Sequence, residues 1–239
     1  MNEPVLIFCR QWAVTSALTS LLASAFTIPV IPVYGEEQLV HMLRKYCYSP
    51  VVLGISPHEY IVPLYMLGPL LVRRQVLFVA RHFWWTDYEL PAFAGITEFR
   101  FCTLDTLADP HSRRAELKWF NQHKLFPSGC TVRGFDNPVT VRTVMKSEYI
   151  IERANFWLYK RMAATGLNGL EIIVLLLLAE SRQIRLSSRL VSLYKIKGFY
   201  KLRMKGRVMN LYRGVIVRQE LQMLFPPELP VWSMLRREG

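Results

Sequence analysis

Residues 5–33, VLIFCRQWAVTSALTSLLASAFTIPVIPV, contain two short apolar runs separated by an amphipathic stretch. The runs at 5–8 and 28–33 have the length of buried strands. Between them, apolar residues recur every three to four positions over 11–25, which predicts a helix. Two strands joined by a helix indicate a parallel pair with a crossover connection, because parallel strands cannot be joined by a tight turn.

The same alternation continues along the chain. Further strands are predicted at 51–53, 75–80 and 96–101, and further helices at 36–46 and 110–123. Five strands with intervening helices over about 120 residues predict an α/β fold, a flavodoxin-like doubly wound sheet. The order of elements resembles that of a response-regulator receiver domain.

The residues that follow the predicted strands do not suit phosphoryl transfer. A receiver holds Mg²⁺ with acidic residues after its first strand and accepts phosphate on an Asp after its third. Here Cys9 and Arg10 follow the first strand, and Ser56 stands at the degenerate phosphoacceptor position. Without carboxylates there is neither an oxygen cage for a hard cation nor an aspartyl acceptor. We therefore predict a pseudo-receiver without a metal, in which His58 and Glu59 are the main polar pair near the ligand crevice.

Positive charge is concentrated near the end of the chain. The formal net charge is +12, and about two thirds of it lies after Gly166. Residues 182–218 include eleven basic residues and no Asp or Glu. This segregation favours a polyanionic partner. DNA, an anionic membrane, an acidic protein and a merely solvated cationic face all remain open on charge alone.

The last 75 residues are predicted to be helical. A lead-in helix is expected at 148–162, and a second begins after Asn168, a candidate N-cap. Two more are expected at 184–193 and 194–211. The predicted inward side chains are Leu186, Leu190 and Leu193 of the first of these, and Ile196, Tyr200, Met204, Val208 and Leu211 of the second.

Two segments of this region carry a family resemblance. LNGLE at 167–171 followed by VLLLLAE at 174–180 resembles the opening of the LuxR/FixJ-type helix-turn-helix, and YKLRMKGRV at 200–208 resembles its recognition helix. With a pseudo-receiver in front, the chain is similar to RcsB-like auxiliary regulators of enterobacteria. The resemblance implies a four-helix DNA-binding domain whose third helix enters the major groove. It also implies a fourth helix within 210–223 for dimerisation.

These observations predict a pseudo-receiver at 1–123, a linker and lead-in helix at 124–164, and a LuxR-type helix-turn-helix domain at 165–239. The expected function is that of a cytoplasmic, phosphorylation-independent transcription regulator. It would bind double-stranded DNA as a homodimer or with another LuxR-type regulator. The alternative is a protein-interaction adaptor that modulates another regulator without binding DNA itself.

Nine basic residues are the candidates for DNA contact. Arg182, Arg185 and Arg189 are expected to contact the backbone from the scaffold helix. The remaining candidates, in the groove or at nearby phosphates, are Lys195, Lys197, Lys201, Arg203, Lys205 and Arg207.

Enzymatic activity is not expected. The sequence has no Gly-rich phosphate loop, its histidines are dispersed, and its four cysteines lack metal-ligand spacing. We therefore expect no cofactor and no metal. The apolar runs at 60–72 and 172–179 are too short to cross a bilayer, so no membrane span is expected. Docking of the basic helix on a membrane surface would need the apolar side chains that are predicted to pack inside the helical domain, so no membrane partner is expected either.

Overall fold

The computed structural model describes residues 3–24, 29–122, 145–204 and 209–223. Its centre is a five-stranded parallel sheet in the order β2-β1-β3-β4-β5. The strands are β1 (Val5–Phe8), β2 (Val30–Val33), β3 (Val51–Leu53), β4 (Gln75–Ala80) and β5 (Glu98–Thr103). This is the strand order of flavodoxin-like doubly wound folds, so the predicted α/β fold class is confirmed for this part of the chain.

Helices cover both faces of the sheet. They are α1 (Trp12–Ala23), α2 (Glu36–Lys45), α3 (Ile61–Leu71), α4 (Trp85–Ala94), α5 (Leu104–Ala108) and α6 (Pro110–Gln122), with a 3-10 turn at Pro57–Glu59. Alternate strand residues point to opposite faces. Leu6, Val51 and Phe78 therefore face one layer of buried side chains, whereas Ile7 and Leu77 face the other.

The second part of the chain is helical. Its elements are α7 (Ser147–Ala164), α8 (Gly169–Ala179), α9 (Ser188–Lys201), α10 (Met209–Gly214) and a 3-10 turn at Gln219–Leu221. Helix α7 packs against α3 and α4, and its buried face continues the core on one side of the sheet. No helix in the described ranges is long and apolar enough to span a membrane.

The predicted division of the region after α8 is wrong. In place of separate helices at 184–193 and 194–211, one helix, α9, runs without a break across the expected turn. In the predicted inward stripe, Leu211 is confirmed as fully buried, whereas Ile196 is 64% exposed and Tyr200 is 85% exposed, so those two predictions are wrong. Met204 is half-buried, and Val208 lies outside the described residues. Leu186, Leu190 and Leu193 also face outward. The buried positions of α9 are Gly198 and Phe199.

Helix α9 ends early because of its C-terminal cap. Arg203 has a φ of 53°, the left-handed conformation that usually needs glycine. The amides of Arg203 and Met204 donate to the carbonyls of Tyr200 and Phe199, the pair of bonds that forms a Schellman motif. The sequence did not predict this helix end, because residue 203 is not a glycine and the apolar periodicity continues past it. The predicted fourth helix at 210–223 is likewise shorter, since α10 ends at Gly214.

Gly198 is the point of closest approach between α8 and α9. A Cβ atom at this position would lie 2.6 Å from Cδ1 and 2.9 Å from Cγ of Leu175. Leu175 is fully buried, so it has little room to move aside. The glycine that weakens the helix by itself is thus what allows α9 to pack on α8.

We expect Gly198→Ala to lower the free energy of unfolding by about 1–3 kcal/mol, because it overpacks the contact with Leu175. In an open helix the same change would stabilise by up to about 1 kcal/mol. Urea unfolding would measure the difference. Gly169→Ala is the matched control, since nothing lies within 4 Å of a Cβ there. Equal effects at both glycines would contradict the close approach.

Candidate nucleic-acid interface

Five exposed cations surround helix α9. Arg182 and Arg185 lie in the segment between α8 and α9, Arg189 and Lys197 lie on α9, and Arg203 follows it. We call these residues the basic face. All five belong to the nine candidates for DNA contact, and no acidic residue occurs between 182 and 218.

The other four candidates for DNA contact are not exposed cations of the described structure. Lys201 is turned inward: its Nζ lies 2.6 Å from Glu171 Oε2 and donates to the carbonyl of Gly166 at 2.8 Å. Lys195 is half-buried. Lys205 and Arg207 lie outside the described residues. Lys197, Lys201 and Lys205 are spaced four residues apart in the sequence. They do not form one exposed row, because Lys201 joins α9 to α8.

Glu171 is the buried partner of Lys201. Its side chain is 2% exposed, and it forms a capping box with Asn168 at the start of α8, which confirms the predicted N-cap. Burial opposes ionisation of this carboxyl. Hydrogen bonds from Lys201 and Asn168 outweigh burial, and the pKa of Glu171 is lowered. A charged Glu171 therefore holds the orientation of α9.

The N-terminal end of α9 is suited to an anion. Ser187 caps the helix by accepting a hydrogen bond from the amide of Leu190. The first turn contains no acidic residue, and it carries Arg189. The first turn itself therefore supplies no negative charge to the positive end of the helix dipole.

The outward side of α9 also carries apolar side chains. Leu193, Ile196 and Tyr200 are 44%, 64% and 85% exposed. Their spacings of three and four place them on one helix face, and we call them the outer ridge. Arg189 precedes the ridge by one turn and Lys197 lies beside it. The face directed away from α8 is thus an apolar line that follows Arg189 and has Lys197 at one side.

A second polar cluster lies at the carboxyl edge of the sheet. Asp87, at the start of α4, is fully buried and accepts hydrogen bonds from His58 N at 2.8 Å, His58 Nδ1 at 2.9 Å and Trp84 N at 2.8 Å. His58 Nε2 is buried without a hydrogen-bond partner among the described residues. Asp87 therefore fixes the turn after β3 to the start of α4.

The end of the described chain lies across this cluster. We call residues 209–223 the C-terminal arm. Its contacts with the edge are Arg213 Nη1 to Glu59 Oε1 at 3.0 Å, Thr86 Oγ1 to the Arg213 carbonyl at 2.9 Å, Gln222 Nε2 to the His58 carbonyl at 2.7 Å, and Met223 N to the Glu59 carbonyl at 2.8 Å. The arm thereby ties the helical part to the parallel sheet.

The edge has no arrangement for phosphoryl transfer in the described parts of the chain. Arg10 follows β1 and Ser56 follows β3, as the sequence indicates. The two carboxylates near the edge, Glu59 and Asp87, already have internal partners. No group of three potential metal ligands occurs among the described residues. Sequence reasoning missed Asp87, although an Asp three residues after Trp84 was a signal for a helix start.

Comparison with protein-family models and with curated proteins finds no match. Among solved structures, the chain is similar to full-length FixJ from B. japonicum. The two are 15% identical, the alignment covers 89% of this chain and 95% of that chain, and the TM-score is 0.35.

Proposed function

We propose that this chain is a DNA-binding transcription regulator that inserts α9 into the major groove. The observation that carries the proposal is the basic face: five exposed cations lie on one exposed helix or beside it in the chain, and no acidic residue occurs between 182 and 218. Arg182 also pairs with Glu180 at 2.8 Å, and the other four have no ion pair with a carboxylate among the described residues. A polyanion removes the mutual repulsion of such cations, and it gains affinity through counterion release.

The dimensions of α9 suit this role. It has 14 residues, which corresponds to a length of about 21 Å. A helix with its side chains is about 10–12 Å wide, and the major groove of B-DNA is about 12 Å wide. Among the described residues α9 packs on α8 along one side, and its opposite side is exposed and able to face a groove. Arg189 and Lys197 border that side.

Regulation without phosphorylation is part of the proposal. Ser56 cannot form an aspartyl phosphate, and the Glu59 carboxylate is paired with Arg213. The receiver-like domain would therefore serve to bind a partner, in a homodimer or with another regulator of similar type.

A catalytic step is not part of the proposal. The thiol at the crevice, Cys9, is buried, and burial raises its pKa. A protonated thiol is a poor nucleophile.

The proposal is tested by titrating the full-length chain with a duplex of random sequence at increasing salt. We expect tight binding at low salt, with a slope of log K against log salt of about −4 if four to five phosphates are neutralised. No binding at low salt would overturn the proposal. That result would favour the adaptor function, for which the exposed outer ridge is the supporting observation.

A further inference from the structure

We infer that the outer ridge recognises the C5-methyl groups of thymine, so that the chain prefers A·T-containing DNA. This inference rests on the proposed function. It concerns which feature of the groove the centre of α9 contacts.

Leu193, Ile196 and Tyr200 lie opposite the buried residues Gly198 and Phe199 of α9. The line of side chains farthest from α8 would be the part of a helix that reaches deepest into a groove. In this chain that line begins with Arg189 and continues with the three side chains of the outer ridge, and Lys197 lies at one side of it.

In the major groove of B-DNA, the bases present hydrogen-bond donors and acceptors, and thymine adds a methyl group. Leu193 and Ile196 have no polar side-chain atoms, so they cannot pair with a donor or acceptor. Placed against guanine or cytosine edges, they would leave polar atoms without water or a partner. The methyl group of thymine is the apolar feature of the groove floor, and it is the one that Leu193 and Ile196 can contact favourably.

Two partners could cover the outer ridge, a second copy of the chain or a DNA duplex. Arg189 and Lys197 are exposed beside the ridge, and the first turn of α9 has no acidic residue. A second copy of the chain would bring the same cations to this surface, which opposes pairing through α9. A duplex brings phosphates to Arg189 and Lys197, and methyl groups to the ridge. Charge complementarity therefore favours DNA as the occupant.

The experiment compares duplexes that differ only in the methyl group. Alternating dA-dT is compared with alternating dA-dU, and alternating dG-dC with its 5-methylcytosine form, by competition at fixed salt. We expect the full-length chain to bind the methylated member of each pair more tightly, by about fourfold for each methyl group covered.

Leu193→Ala/Ile196→Ala is the test variant. Both side chains are exposed, so we expect it to fold, to keep the salt dependence of DNA binding and to lose the preference for methyl groups. Leu193→Met/Ile196→Val should keep the preference, because apolar contact is retained. Leu190→Ala is the control variant, since Leu190 is exposed on α9 beside the ridge.

The outcomes separate the two proposals. Salt-dependent binding with equal affinity for dT and dU duplexes overturns the inference and leaves the proposed function standing. Failure to bind any duplex at low salt overturns the proposed function. If the alanine variant changes the sedimentation of the free chain and leaves methyl discrimination unchanged, the ridge is a protein contact and the inference is wrong.

Discussion

Arg189→Gln/Lys197→Gln should lower the affinity of the chain for duplex DNA by about 100-fold at moderate salt. Each contact of an Arg or Lys with a base or phosphate contributes about 1–3 kcal/mol, and these two side chains border the outward side of α9. The slope of log K against log salt should become shallower by about two, because two fewer counterions are released. Fluorescence anisotropy over a salt series measures both quantities.

The matched control removes the same charge elsewhere. Arg44 in α2 and Arg114 in α6 are exposed and lie on the α/β part of the chain. Arg44→Gln/Arg114→Gln also lowers the net charge by two, so it tests whether charge alone explains the loss. Equal losses in the two variants would mean that DNA is attracted by the whole chain and that α9 is not its contact surface.

Asp87→Ala should lower the free energy of unfolding by about 3 kcal/mol. The substitution removes an acceptor of three hydrogen bonds inside the protein, and it leaves buried donors without partners. Each buried donor without a partner costs about 1–3 kcal/mol. Part of this loss is offset, because the variant no longer has to bury a carboxylate. Urea unfolding at neutral pH measures the change.

A second readout concerns the C-terminal arm. The carbonyl of His58 accepts from Gln222, so loss of Asp87 should also loosen the arm and speed amide exchange in its backbone. Asp105→Ala is the control, because Asp105 is exposed at the start of α5 and should change stability by no more than about 0.5 kcal/mol. A loss below about 1 kcal/mol for Asp87→Ala would contradict the role given to this carboxylate.

The local sequence pattern was enough to predict the strands of the sheet. The strand predicted at 75–80 has the observed bounds, and the one predicted at 96–101 differs by two residues. Buried parallel strands are short apolar runs, and a run is visible without knowledge of its neighbours. The cap at Asn168 was also predictable, because its partner Glu171 is only three residues away.

The last third of the chain was less predictable. Periodicity placed Ile196 and Tyr200 inside, and the structure places them outside. Two or more apolar stripes can be drawn on a helix as apolar as α9, and only the neighbour decides which is buried. Here Leu175 of α8 selects the face with Gly198, because glycine permits the closest approach.

The sequence by itself determined the α/β class, the absence of an Asp at the acceptor position and the concentration of positive charge after Gly166. These properties depend on residue types and short spacings. The tertiary structure decided which face of α9 is exposed, that Lys201 is bonded to Glu171, and that the C-terminal arm joins His58 and Glu59 at the sheet edge. Those properties depend on contacts between residues far apart in the chain, up to 164 positions for Gln222 and His58, and such contacts leave no local pattern in the sequence.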